Sequence, residues 1–215
     1  KQAVIFLKAA INTNPKFYLA YFELGNFFKY EHKFDEAIAQ YKKAIETNPK
    51  YAEAYLNLGN IFKERKNFDE ALKMYQKSSE VNPNFLEANY NISQIYLKLR
   101  KLDLGLQYLK KTLENKPNSA KLHIKIGTNH LMQKKYELAE EFYKKGINLR
   151  ESNIKNSNQN NNEFNTGEST NFYSDQGLTE IYNNLAAALK FLEKDPESLT
   201  YIKKALEIDS NNFNA

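Results

Sequence analysis

The stretch AYFELGN, from Ala20 to Asn26, returns as AYLNLGN from Ala54 to Asn60, offset by 34 residues with five of seven letters identical. Prolines at 15, 49, 83 and 117 keep the same interval. With proline set as position 32, units start at Tyr18, Ala52, Leu86 and Ala120, after a half unit at 1–17. The chain then falls into columns. Position 4 reads Tyr21, Tyr55, Asn89 and His123, and position 7 reads Leu24, Leu58, Ile92 and Ile126. Position 8 is small throughout, as Gly25, Gly59, Ser93 and Gly127. Position 11 reads Phe28, Phe62, Tyr96 and His130. Position 20 is small again, as Ala37, Ala71, Gly105 and Ala139, and position 24 is bulky, as Tyr41, Tyr75, Leu109 and Tyr143. A fixed period of this length marks a stacked-repeat architecture.

Positions 4, 7, 8 and 11 share one face of a first helix, and positions 20, 24 and 27 share one face of a second. Small residues at 8 and 20 allow the two backbones a close approach, and the bulky positions fill the space around that contact. Proline cannot continue a helix, and the residue before it (Asn14, Asn48, Asn82 or Lys116) is biased away from the helical region. A single hairpin cannot cover its own apolar face, so neighbours must stack to bury it. The expected fold is all-α: an α-solenoid of about five and a half stacked helix-turn-helix hairpins.

These columns resemble the tetratricopeptide repeat, whose pattern runs aromatic, Leu-Gly, aromatic, Ala, aromatic and Pro. The unit AEAYLNLGNIFKERKNFDEALKMYQKSSEVNP, from Ala52 to Pro83, matches almost throughout, with Ser78 in place of a small Ala at position 27. The resemblance covers 1–150 and again 179–215, and it implies that the α-solenoid is right-handed. It departs at the turn between helices, where the family often has Gly and this chain has His32, Lys66, Arg100 and Lys134. If that turn needs a positive φ, each such residue costs up to about 1 kcal/mol.

The period is then interrupted. Position 32 of the fourth unit is Glu151 rather than Pro, and the next signature, TEIYNNLAAALKFLEKDPESLTYIKKALEIDS, starts at Thr179. The organisation expected is units at 18–51, 52–85, 86–119 and 120–153, an insertion at 154–178, a fifth unit at 179–212 and the start of another at 213–215. Seven of the 13 residues from 153 to 165 are Asn. Such a segment has too little apolar area to offset its ordering entropy, so the insertion is expected to be a low-complexity surface loop, with Phe164, Phe172 and Tyr173 available to dock on the repeats.

Composition narrows the function. With no cysteine and three histidines among 215 residues, neither a disulfide framework nor a thiolate metal site is expected, and no metal or other cofactor. No apolar run approaches the roughly 18 residues a membrane span requires, so no membrane insertion is expected. The 31 basic and 26 acidic residues are interleaved along the chain rather than gathered, the habit of solvated helix surfaces. Nucleic-acid binding is therefore not expected. The first residues, KQAVIFLKAAINTNP, lack a signal-peptide layout and begin in mid-pattern. They suggest a cytoplasmic or nuclear segment of a larger chain or multiprotein assembly.

No catalytic constellation is legible, and the expectation is a non-enzyme. Gly25, Gly59 and Gly127 are packing positions, His123 and His130 take aromatic columns, and Glu140 and Glu141 fall on an exposed face. The resemblance implies another kind of site: the first helices of successive units line a concave surface that binds an extended or helical segment of a partner protein. Carried over, position 5 supplies Phe22, Leu56, Tyr90 and Ile124, an apolar column able to read side chains. Positions 6 and 9 supply Asn26, Asn57, Asn60, Asn91, Gln94 and Asn184, whose amides both donate and accept. Lys121 and Lys125 add charge. Two variants of the family are also implied. One is a co-chaperone clamp for the acidic C-terminal tails of heat-shock chaperones, matched at Asn60, Asn91, Lys121 and Lys125. The other is the substrate-selecting arm of a larger enzyme, as in O-linked N-acetylglucosamine transferases, matched at Asn57, Asn91 and Asn184.

Overall fold

A computed structural model describes residues 2–83, 85–160 and 175–208. Among these residues all regular structure is helical, and the chain divides into two compact units, one up to Leu99 and the other from Arg100. The first unit holds α1 (Gln2–Thr13), α2 (Tyr18–Tyr30), α3 (Phe34–Thr47), α4 (Ala52–Glu64), α5 (Phe68–Val81) and α6 (Leu86–Lys98). The second holds α7 (Leu102–Asn115), α8 (Ala120–Met132), α9 (Tyr136–Asn160), α10 (Asp175–Phe191) and α11 (Asp195–Ile208). Within each unit every helix packs against the next in sequence, and in the second unit α8 also meets α10.

The seams follow from the small columns. Gly25 and Gly59 face the rings of Tyr41 and Tyr75 so closely that a Cβ would stand 2.6 and 2.7 Å from a ring carbon. At Gly127 the corresponding contact with Tyr143 is 3.1 Å. Ala37, Ala71 and Ala139, opposite them on the second helices, are wholly buried, as are the three tyrosines. Ser78 is accommodated because its hydroxyl donates to the Ala52 carbonyl at 2.9 Å inside the α4–α5 seam. The core of the first unit joins Ala37, Tyr41 and Ala44 of α3 to Ala54, Leu58 and Ile61 of the following hairpin. In the second unit Tyr143 and Ile147 of α9 meet Ile181, Leu185 and Leu189 of α10 in the same way.

The turn inside each hairpin does require a positive φ. His32, Lys66, Arg100 and Lys134 lie at φ 56–60°, and so does Glu193 in the last hairpin, at 58°. Around His32 the amide of Lys33 donates to Phe28 O at 2.8 Å and that of His32 to Lys29 O at 3.0 Å. This is the double closure that satisfies the last carbonyls of a helix. Lys66, Lys134 and Glu193 repeat it. At the turns between hairpins, Asn14 and Asn48 use their side-chain oxygens to accept the amides of Lys16 and Lys50, at 3.0 and 3.1 Å. That local bond competes with the helix just ahead of each proline.

Two expectations need correction. Residues 154–160 are not loop but the last turns of α9, and α10 starts at Asp175, ahead of the expected unit. With Glu151 where a proline follows α1, α3, α5 and α7, nothing ends α9 there. The rest of the expected loop, including Phe164, Phe172 and Tyr173, lies outside the described residues. Glu140 is also not on an exposed face. Its side chain is 12% exposed and accepts from Lys144 at 2.8 Å and Lys194 at 2.7 Å, with Lys144 pairing to Glu197 as well.

Candidate functional site

The expected binding residues lie on first helices, and in the first unit their amides form a bonded series. Asn26 Oδ1 accepts from the Tyr41 hydroxyl at 2.7 Å and from Asn57 Nδ2 at 3.0 Å. One hairpin on, Asn60 Oδ1 accepts from the Tyr75 hydroxyl at 2.6 Å and from Asn91 Nδ2 at 3.5 Å. Asn26 Nδ2 donates to Glu23 at 3.3 Å, and Lys63 Nζ donates to Asn91 Oδ1 at 3.2 Å. Burial, with Glu23 or Glu87 nearby, holds the Tyr41 and Tyr75 phenols far above their ordinary pKa, so both stay protonated donors. Burial lowers the Lys63 pKa, partly offset by Glu87 and Glu64. Among the described residues two amide functions of this series on α4 remain unspent: the acceptor Asn57 Oδ1 and the donor Asn60 Nδ2, three residues apart on one helix face.

The second unit is built differently. Thr128 of α8 takes the place of the asparagines: its hydroxyl accepts from Tyr143 at 3.0 Å and donates to the Ile124 carbonyl at 3.0 Å. With that oxygen committed, the half-buried amide of Asn184 of α10 has no partner at either end among the described residues. Lys121 and Lys125 of α8 are half-buried. Gln94 Nε2, in the first unit, and Asn183 Oδ1, in the second, are buried without hydrogen bonds.

The apolar column is not available as the resemblance implied. Phe22, Leu56 and Ile124 are buried at 5–8% exposure. Phe22 sits against the rings of Tyr41 and Tyr51, at 5.7 and 4.9 Å. Ile124 fills the space a side chain on Gly146 would need, its Cγ1 2.5 Å from the Cβ position. Tyr90 alone of that column is half-buried. Asn91, half of the amide pair in the clamp variant, is also buried and bonded on both sides.

The tyrosine hydroxyls and Lys63 were missed as members of this network. The columns held a signal: where position 24 is Tyr, position 9 is Asn26, Asn60 or Thr128, whereas Leu109 and Ile202 accompany Gln94 and Ala187. Among the described residues no cluster of three His, Asp or Glu could hold a metal ion, and no helix is long and apolar enough to cross a membrane.

Comparison with known proteins agrees with the packing. Residues 28–64 match a family described as TPR repeat, and 52–85, 86–119, 120–153 and 179–212 match families described as Tetratricopeptide repeat. No curated protein sequence matches the chain. Among solved structures it is similar to YrrB, described as a TPR protein with an unusual peptide-binding site, at 19% identity and a TM-score of 0.73, covering 97% of this chain and 94% of that one. It is similar to MamA at 20% identity and a TM-score of 0.71, covering 90% and 92%. PilF of Pseudomonas aeruginosa gives 17% identity and a TM-score of 0.72, covering 99% and 86%. At such identities the likeness is one of fold. Taken with the matched repeats and the buried Gly–Tyr seams, it places the chain in the tetratricopeptide repeat family.

Proposed function

We propose that this protein is a non-catalytic interaction scaffold that holds an extended segment of a partner polypeptide against its first helices. The observation that carries this reading is, in each unit by itself, an amide left unspent among the described residues: Asn57 Oδ1 and Asn60 Nδ2 on α4 of the first unit, and the amide of Asn184 on α10 of the second. An extended backbone offers one donor and one acceptor per residue, and such amides can answer both without reading side chains. The peptide-binding site named for YrrB supports a ligand of this class. Selectivity then comes from the half-buried Tyr90 in the first unit, and from the half-buried Lys121 and Lys125 in the second, rather than from Phe22, Leu56 or Ile124, which are occupied in the core. A clamp for C-terminal carboxylates is disfavoured, because Asn91 already bonds Lys63 and Asn60.

Peptides selected from a displayed random library against the whole chain test the proposal. The affinity of those seated on the second unit should fall about fivefold in Asn184→Ala, the effect of one hydrogen bond, and should not depend on a free C-terminus. Failure to select any peptide, or unchanged affinity in that variant, contradicts it.

A further inference from the structure

Positions 4 and 11 carry aromatic rings in the first two repeats, Tyr21 and Phe28, then Tyr55 and Phe62. On α8 both are imidazoles. His123 and His130 are 1% and 3% exposed, and the ring of Phe142 from α9 lies against each, at centroid distances of 5.9 and 5.6 Å. His123 Nδ1 is 2.9 Å from the Ser119 carbonyl oxygen, the place of an N–H donor. Among the described residues His130 Nδ1 is buried with no partner. The charged groups acting on the rings are Lys110 of α7, Lys135 in the turn before α9, and Glu141 and Lys145 of α9. Among the described residues α10, which also packs on α8, brings none. Three cations and one carboxylate therefore surround the pair.

We propose that the α8–α9 seam is an acid-sensitive latch: proton uptake by His123 and His130 loosens the second unit in mildly acidic solution while the first unit keeps its fold. A buried imidazolium would have to be desolvated beside an aromatic ring and lysines, a cost the exposed unfolded chain does not carry. Burial lowers the proton affinity of both rings in the folded state, with the lysines adding to it. The sign follows. The unfolded state binds protons first, so the seam's stability is complete above about pH 6.5 and is lost progressively as pH falls below it. The chain's other histidine, His32, is exposed in a turn of the first unit.

Hydrogen exchange of the whole chain at pH 7.5 and 5.0, corrected for intrinsic exchange, tests this. Protection of α8 and α9 should drop relative to α2–α5 by on the order of tenfold. The double variant His123→Tyr/His130→Phe, which restores the rings used in the other repeats, should keep its protection at pH 5.0. An unchanged ratio in the parent protein, or the same loss in the double variant, overturns the latch. Should that variant not fold, titration of the two imidazole C–H signals in the parent decides. Both midpoints below about 6.5 support the latch, and either at or above it overturns it.

Discussion

The ring of Tyr75 occupies the space that a side chain on Gly59 would fill, its Cε1 2.7 Å from the Cβ position, while its hydroxyl reaches past to Asn60 at 2.6 Å. One tyrosine thus closes the seam between two helices and starts the polar series on the first-helix face. The same pairing recurs between Tyr41 and both Gly25 and Asn26. Packing and the candidate site are therefore coupled at these residues.

Gly59→Ala should destabilise the first unit by about 1–3 kcal/mol, the usual cost of overpacking a fixed core. Tyr75 is wholly buried and cannot swing away. Urea unfolding followed by circular dichroism measures it. An effect below about 0.5 kcal/mol would mean the seam is looser than described.

Tyr75→Phe should cost about 1 kcal/mol, because it leaves Asn60 Oδ1 with only the long bond from Asn91. A double-mutant cycle with Asn60→Ala should show the two losses overlapping rather than adding. Strict additivity would deny the bond any role in stability.

Lys66→Gly should stabilise the protein by up to about 1 kcal/mol, since Lys66 sits at φ 60° where a Cβ is penalised. Lys63→Gly, three residues earlier inside α4, should instead destabilise by about 1 kcal/mol. Thermal melts of the two variants moving in the same direction would contradict the turn geometry.

Asn57 and Asn184 should separate stability from binding. Asn57→Ala removes the bond to Asn26 and should cost about 1 kcal/mol. Asn184→Ala removes no bond among the described residues and should leave stability within about 0.5 kcal/mol. A large stability loss in Asn184→Ala would show that its amide is already spent.

Arg65→Ala should have a small effect. Arg65 bonds Asp35 at 2.8 Å and lies over the Phe34 ring at 5.6 Å, but both partners of the ion pair are well exposed. Such pairs contribute at most about 1 kcal/mol and weaken with salt.

The hairpins were legible because their signals are local and repeated. Proline at 49, Gly59 facing Tyr75, and Ala71 between them each have one role, and 34-residue spacing repeats it. The candidate site was less legible because a column shows which residues share a helix face, not which of their atoms are already bonded. Asn26, Asn57, Asn60 and Asn91 read as a free ladder, yet the oxygens of Asn26 and Asn60 are held by tyrosines from the second helices. Phe22 read as groove-facing until Tyr51, from the turn between hairpins, closed over it. The extension of α9 followed from a missing stop signal at Glu151, overshadowed by an Asn-rich composition that argued for loop.

The first-helix faces are tested most directly by mapping a selected peptide onto the protein with side-chain amide NMR signals. The account predicts that a peptide seated on the first unit shifts the Nδ2 protons of Asn60, and one seated on the second unit those of Asn184, while those of Asn26, bonded to Glu23, move little. Shifts confined to the outer surfaces of α3 and α5, or to the turns, would contradict it.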